Sequence, residues 1–128
     1  MPPDPRAGPV MIGSEIYRHS SYGPKHPLAI PRVSTTLDLV RALGWLPPER
    51  YLESPLATPE QLARFHHPDY IAALRRVEAT QAATEEDRAR FHIGARGNPV
   101  FREVFSRPAP GAGGTILAAR LTLGGGIA

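Results

Sequence analysis

Apolar and polar residues alternate along this chain with periods that change several times. Val10–Ser14 is a short apolar run that predicts a buried parallel strand. Residues 17–27 are polar and punctuated by Gly and Pro, and they read as a loop. Apolar residues then recur in steps of three and four at Ile30, Val33, Leu37, Val40 and Leu43. That spacing lines one face of a helix, and Gly44 is placed to stop it. Arg50–Ser54, bounded by Pro48 and Pro55, predicts a second short strand. Thr58-Pro-Glu-Gln61 opens a helix that ends near Phe65: Thr58 caps it, Pro59 takes the first turn, and Gln61 reaches back. A further helix starts at Pro68 and runs from Asp69 to about Val77, with Tyr70, Leu74 and Val77 facing one way. Residues 78–90 have a helical bias but little to bury. Residues 91–110 are irregular, with one helical turn at Arg102–Phe105. Ala112–Leu123 is helical, Gly124–Gly126 ends it, and Ile127-Ala128 begins a strand.

Two short strands and a stub separated by helices indicate parallel βα architecture, helix-rich in this segment. Two strands cannot form a stable sheet covered on both faces, and no internal repeat supplies more. The sequence therefore reads as an incomplete domain, preceded by a disordered leader at 1–9 behind which Met11 is an alternative start.

Composition narrows the function classes. The 128 residues hold 41% apolar residues, 12 Gly and 15 Pro, which suits a loop-rich globular protein. There is no Cys, which excludes disulfides and thiolate metal sites and fits the cytoplasm. No apolar run approaches the ~18–20 residues a bilayer requires, so no membrane partner is expected. The net charge of +3 comes almost wholly from arginines interspersed with acids, Lys25 being the one lysine. Without a basic stripe, no nucleic-acid partner is expected.

Candidate chemistry is sparse. His66 and His67 are adjacent, so on a helix they would diverge by about 100° and could not readily share a metal. His66-His67-Pro68-Asp69 matches no ligand spacing, and His66 reads as a helix C-terminal histidine. Gly13-Ser14-Glu15 lacks the flanks of a nucleophile elbow. Gly111–Gly114 lacks the pattern of a phosphate loop and reads as close helix packing. The informative segment is Tyr22–Arg32, a loop stiffened by three prolines that delivers Arg32 to a helix start, where the helix dipole disfavours a cation.

Tyr22-Gly-x-x-His26-Pro27, followed five residues later by Arg32, resembles the first active-site loop of the histone deacetylase family and its acetoin-utilisation-type relatives. His66-His-Pro-Asp-Tyr-Ile71 is similar to the family's H-x-x-x-Y-[IV] helix start. Phe91–Gly94 with Asn98–Phe101 resembles its second loop, and Gly113-Gly114 the helix after it. The resemblance spans residues 10–128. It implies the N-terminal portion of an arginase/deacetylase-type α/β fold with a central parallel sheet, cut before the catalytic motifs. It further implies a bacterial-type zinc-dependent amidohydrolase acting on acetyl-lysine or other acylated amines. In such an enzyme zinc polarises the amide carbonyl and activates water, with a histidine as general base and acid.

By the same resemblance, Tyr22, Leu28 and Arg32 line an internal channel below the metal, and His26 and Pro27 lie near the pocket mouth. No catalytic or metal-ligating residue is assigned in this chain. Zinc belongs to the complete enzyme, and the chain alone is expected to be inactive and prone to self-association. Two departures stand out. Ala95-Arg-Gly97 lacks the acidic residue that many members carry in the second loop, which favours a small or different acyl-amine substrate. Ala29 and Pro31 stand where inositol-phosphate-binding members have basic residues, so no such site is expected. The alternative is a non-catalytic helical binding or assembly module that keeps part of the scaffold.

Overall fold

The computed structural model describes residues 8–128, so the leader expected at 1–9 lies almost wholly outside the described residues. Two three-residue strands, β1 (Met11–Gly13) and β2 (Tyr51–Glu53), pair in parallel, with Met11 opposite Tyr51, Ile12 opposite Leu52 and Gly13 opposite Glu53. Each is shorter than the five-residue segment that predicts it.

Backbone hydrogen bonds extend past the two paired strands. Ser54 N–H donates to the Gly13 carbonyl at 2.6 Å, so Gly13 faces β2. By the alternation of a strand, the Val10 N–H points to the opposite edge, where it donates to the Ile127 carbonyl at 3.0 Å. Ile127, expected to begin a strand, thus lies along the free edge of β1 through one backbone bond, although it is not itself in a strand.

The helices are α1 (Ile16–His19), α2 (Arg32–Ala42), α3 (Pro59–Leu62), α4 (Pro68–Thr80), α5 (Glu85–Phe91) and α6 (Ala109–Leu123). A 3-10 turn at Pro48–Arg50 leads into β2. α1 corrects the expectation of a continuous loop from residue 17. The Ile16 N–H donates to Ser14 Oγ at 3.3 Å, and Arg18 reaches back to Glu15 at 2.9 Å and across to both Asp38 oxygens at 2.8 Å. These bonds, two of them local and the pair to Asp38 reaching across to α2, hold one helical turn where no apolar period announces it. The paired arginines hold the Glu15 and Asp38 carboxyls below their usual range, Arg18 first in each case.

The predicted face of α2 is covered unevenly. Leu37 is 3% exposed, but Ile30, Val33 and Leu43 are 67%, 50% and 48% exposed among the described residues. α3 carries the predicted capping box, Thr58 Oγ1 accepting from Gln61 N–H and Gln61 Oε1 from Thr58 N–H, and turns continue it to Phe65. Gly44 stops α2 at φ +72°, and Gln81 closes α4 in the left-handed region.

The core is built from Ala73, Leu74 and Val77 of α4 with Ile93 and Val104, and Tyr70, Phe91, Val100, Phe101 and Phe105 pack around it. α5 is a full helix where the sequence predicts only a bias. Thr84 and Asp87 form a second capping box, and Asp87, 2% exposed, also takes a hydrogen bond from Arg76. Residues 102–108 form a succession of turns rather than one isolated turn, and α6 starts at Ala109, ahead of the expected Ala112. The Glu78 carboxylate holds this stretch by accepting from the Phe105 and Ser106 N–H groups at 2.7 Å and from the Ser106 hydroxyl.

α6 lies directly on the chain leaving β2. A Cβ at Gly113 would overlap the Pro55 carbonyl, and one at Gly114 would meet Ser54 Oγ and Ile12. The Gly-rich start is thus a packing device, with the Ser54 hydroxyl donating to the Pro110 carbonyl at the same contact. Along α6, Ile116, Leu117 and Leu121 are half-buried, and Leu123 is 89% exposed. No helix among the described residues is long and apolar enough to cross a membrane.

Candidate functional site

The loop from Ser20 to Pro31 turns twice, with His26 N–H donating to Gly23 O and Ala29 N–H to His26 O. Gly23 takes φ +107°, which a side chain would oppose. The loop folds over a cavity of about 300 Å³ whose wall includes Tyr17, Tyr22, Leu28, Arg32, Val33 and Arg107. Three of the five sequence-predicted site residues, Tyr22, Leu28 and Arg32, therefore share one cavity. His26 and Pro27 are not on its wall. The His26 ring packs on Tyr22 with centroids 4.7 Å apart, and its Nδ1 accepts from the Leu28 N–H at 3.1 Å, while Pro27 is exposed. His26 thus braces the loop from outside.

The second loop meets the first at an aromatic contact, Tyr22 standing edge-on to Phe101 at 4.8 Å. Beside it, the Ser20 hydroxyl donates to Glu103 at 3.0 Å. Residues 92–98 form a tight loop closed by Gly94 N–H to Asn98 O at 2.9 Å and Asn98 Nδ2 to His92 O at 2.9 Å. His92, Gly94 and Gly97 all take positive φ there, and a Cβ at Gly94 would stand 2.9 Å from the Ala83 methyl.

Arg32 is the first residue of α2, exposed, and its guanidinium has no acidic partner among the described residues. Two further arginines share the wall: Arg18, paired with Glu15 and Asp38, and Arg107, which the sequence reading does not single out. The Arg107 guanidinium carbon lies 4.6 Å from the Tyr22 ring centroid and 4.9 Å from that of Tyr17. Its Nε is buried without a hydrogen-bond acceptor. Such a donor normally costs about 1–3 kcal/mol, offset here in part by two cation–π contacts. Burial pushes the Tyr17 phenol above its ordinary pKa, against the opposing pull of Arg107, so that phenol stays neutral. No Asp or Glu lines the cavity. Arg107 lacks a periodic pattern and lies some ninety positions from Tyr17, so no local signal points to it.

His66 and His67 do different jobs. The His66 ring packs between Phe65 and Tyr70 at 5.0 and 5.6 Å. The His66 N–H donates to the Leu62 carbonyl at 2.9 Å, at the end of the turns that follow α3, whereas His67 caps α4, its Nδ1 accepting from the Asp69 N–H at 3.2 Å. Among the described residues no group of three or more His, Cys, Asp or Glu side chains could hold a metal ion. The residues present do not fit a zinc site, and no zinc-dependent step is assigned to them.

These features, a parallel sheet backed by a glycine-seated helix and a first loop that folds over an arginine-lined cavity and packs on a second loop, define a piece of a deacetylase-type α/β domain. Residues 26–128 match the histone deacetylase domain model, and the chain belongs to the histone deacetylase family. It is 35% identical over 100 residues to histone deacetylase 9 of Arabidopsis thaliana, covering 77% of this chain and 23% of that protein. It is 28% identical over 116 residues to the acetoin utilization protein AcuC of Bacillus subtilis, covering 91% and 30%. The crystal structure of a histone deacetylase homolog from Aquifex aeolicus superposes with a TM-score of 0.89 at 32% identity, over 94% of this chain and 32% of that one. A histone deacetylase homolog complexed with SAHA gives the same values. The chain thus spans 23 to 32% of the length of these relatives.

Proposed function

We propose that this chain contributes the first-loop wall of a zinc-dependent deacetylase that removes acyl groups from acetyl-lysine or other acylated amines. The observation that carries the reading is the cavity in which Tyr22, Leu28 and Arg32 converge within a family-matched fold. In this reading the zinc ligands lie outside the described residues, and the chain alone is inactive. Arg32 serves the lower channel, where a guanidinium offers two parallel donors to a departing carboxylate. The cation stands at the positive end of a helix, a placement that a carboxylate ligand would compensate. His26 and Pro27 shape the outer loop. The second loop, Ala95-Arg96-Gly97, offers no carboxylate to a peptide backbone, which favours a small acylated amine over a long peptide. A bacterial-type enzyme of the cytoplasm completes the proposal.

The test uses the full-length protein that carries this segment. Steady-state kinetics on an acetylated peptide and on small acetylated amines, with metal analysis, should show zinc-dependent turnover. Arg32→Ala should lower turnover at unchanged metal content, and Arg32→Lys should recover only part of it. Absence of deacetylation, or full activity in the Ala variant, refutes the assignment.

A further inference from the structure

The two loops that meet at the Tyr22–Phe101 contact each carry a tight turn with a cation at its centre. In the first, the His26 N–H donates to the Gly23 carbonyl at 3.1 Å, which puts Pro24 and Lys25 at the two central positions. In the second, the Asn98 N–H donates to the Ala95 carbonyl at 2.9 Å, which puts Arg96 and Gly97 there, Gly97 at φ +84°. Lys25 and Arg96 are both exposed, and neither has a partner among the described residues. Neither loop can neutralise them. No Asp or Glu occurs from Ser20 to Leu37 or from Arg88 to Arg102. Glu103, the next acid along, already accepts from the Ser20 hydroxyl and lies 3.8 Å from Arg102. Both turns are braced, one by the Tyr22–His26 ring contact and the other by the Asn98 Nδ2 bond to the His92 carbonyl. Uncompensated cations held on braced turns give their surroundings a positive potential, which draws anions and repels cations over about 8 Å at physiological salt.

We propose that Lys25 and Arg96 are specificity-determining residues that make this protein prefer acylated amines carrying negative charge over cationic ones. The inference rests on the deacetylase reading, in which the first loop borders the pocket mouth. It adds the charge of the substrate to that reading: the part of the ligand left outside the pocket is acidic.

The experiment compares three tripeptides on the full-length protein, each with a central acetyl-lysine flanked on both sides by Glu, by Gln or by Lys. The Glu-flanked peptide should exceed the Lys-flanked one by about tenfold in kcat/KM, with the Gln-flanked peptide between them. Raising the salt to about 0.5 M should remove most of that difference. The double variant Lys25→Gln, Arg96→Gln should bring the ratio close to one, the change falling on KM rather than kcat. Lys25→Glu with Arg96→Glu should reverse the order. Equal rates for the three peptides, a preference for the Lys-flanked one, or a preference that survives in the double Gln variant would each overturn the proposal. Should the variants fail to fold, the salt response of the wild type decides, and a preference indifferent to salt overturns the idea. Fluorescence anisotropy with labelled forms of the same peptides separates the two readings. Charge-ordered binding that the double Gln variant loses, without turnover of any peptide, refutes only the deacetylase reading. Turnover without charge order refutes only this one.

Discussion

Replacing Gly113 by alanine adds one methyl group, and the structure says where it goes. The new Cβ would overlap the Pro55 carbonyl oxygen and crowd the Pro55 carbonyl carbon and the Ala57 N–H, all main-chain atoms of the segment that leaves β2. Backbone there cannot swing aside as a side chain would, since the Ala57 N–H is bound to the Ala109 carbonyl at 3.1 Å and Ser54 to Pro110. Relief requires α6 to lift off the strand. Overpacking of this kind costs about 1–3 kcal/mol and occasionally more. Alanine for glycine in a helix returns about 0.8–1.0 kcal/mol in backbone entropy and propensity. With a rigid partner the clash lies at the upper end, and a net loss of about 2 kcal/mol is expected. Gly111, two residues earlier in the same helix, is the internal control. A Cβ there meets only the Tyr17 hydroxyl at 3.6 Å, ordinary contact, so Gly111→Ala should be neutral or stabilising by up to about 1 kcal/mol. Urea unfolding of the full-length protein and both variants, monitored by circular dichroism, gives the comparison. Equal midpoints for Gly113→Ala and Gly111→Ala would show that α6 does not depend on this close approach.

Two further outcomes follow from the core. Burial raises the pKa of Asp87, but the Thr84 backbone and hydroxyl bonds and then Arg76 outweigh it and hold the carboxyl below its ordinary value. A depressed carboxyl stabilises the fold above the unfolded pKa of about 3.9 and loses that contribution as pH falls through the lower folded value. Stability should therefore be insensitive to this group near neutrality and decline in acid below about pH 4, and Asp87→Asn should flatten that limb in denaturation measured across pH. Val77 is fully buried at the centre of the α4 cluster, so Val77→Ala should cost about 2 kcal/mol in the same urea assay, and a change within error would place the core elsewhere.

What the sequence determined by itself is local or periodic. The Thr58–Gln61 box, the stop at Gly44, the Tyr70, Leu74 and Val77 face and the places of the two short strands were legible from neighbouring residues, and all are found in the structure. The Tyr22-Gly-x-x-His26-Pro27…Arg32 motif likewise identified the family, because a prescribed loop chemistry at fixed spacing survives as text. Tertiary structure decided the rest. α1 exists because Arg18 finds Asp38, twenty residues away. The glycines of α6 matter because Pro55 lies under them. His26 packs on Tyr22 without lining the cavity that Tyr22, Leu28 and Arg32 share, and Arg107 joins that wall from a stretch of turns with no pattern of its own. Periodicity reports which side of an element is buried, but not what buries it. The partner of a cation is set by where the chain returns in space, and no local preference encodes that.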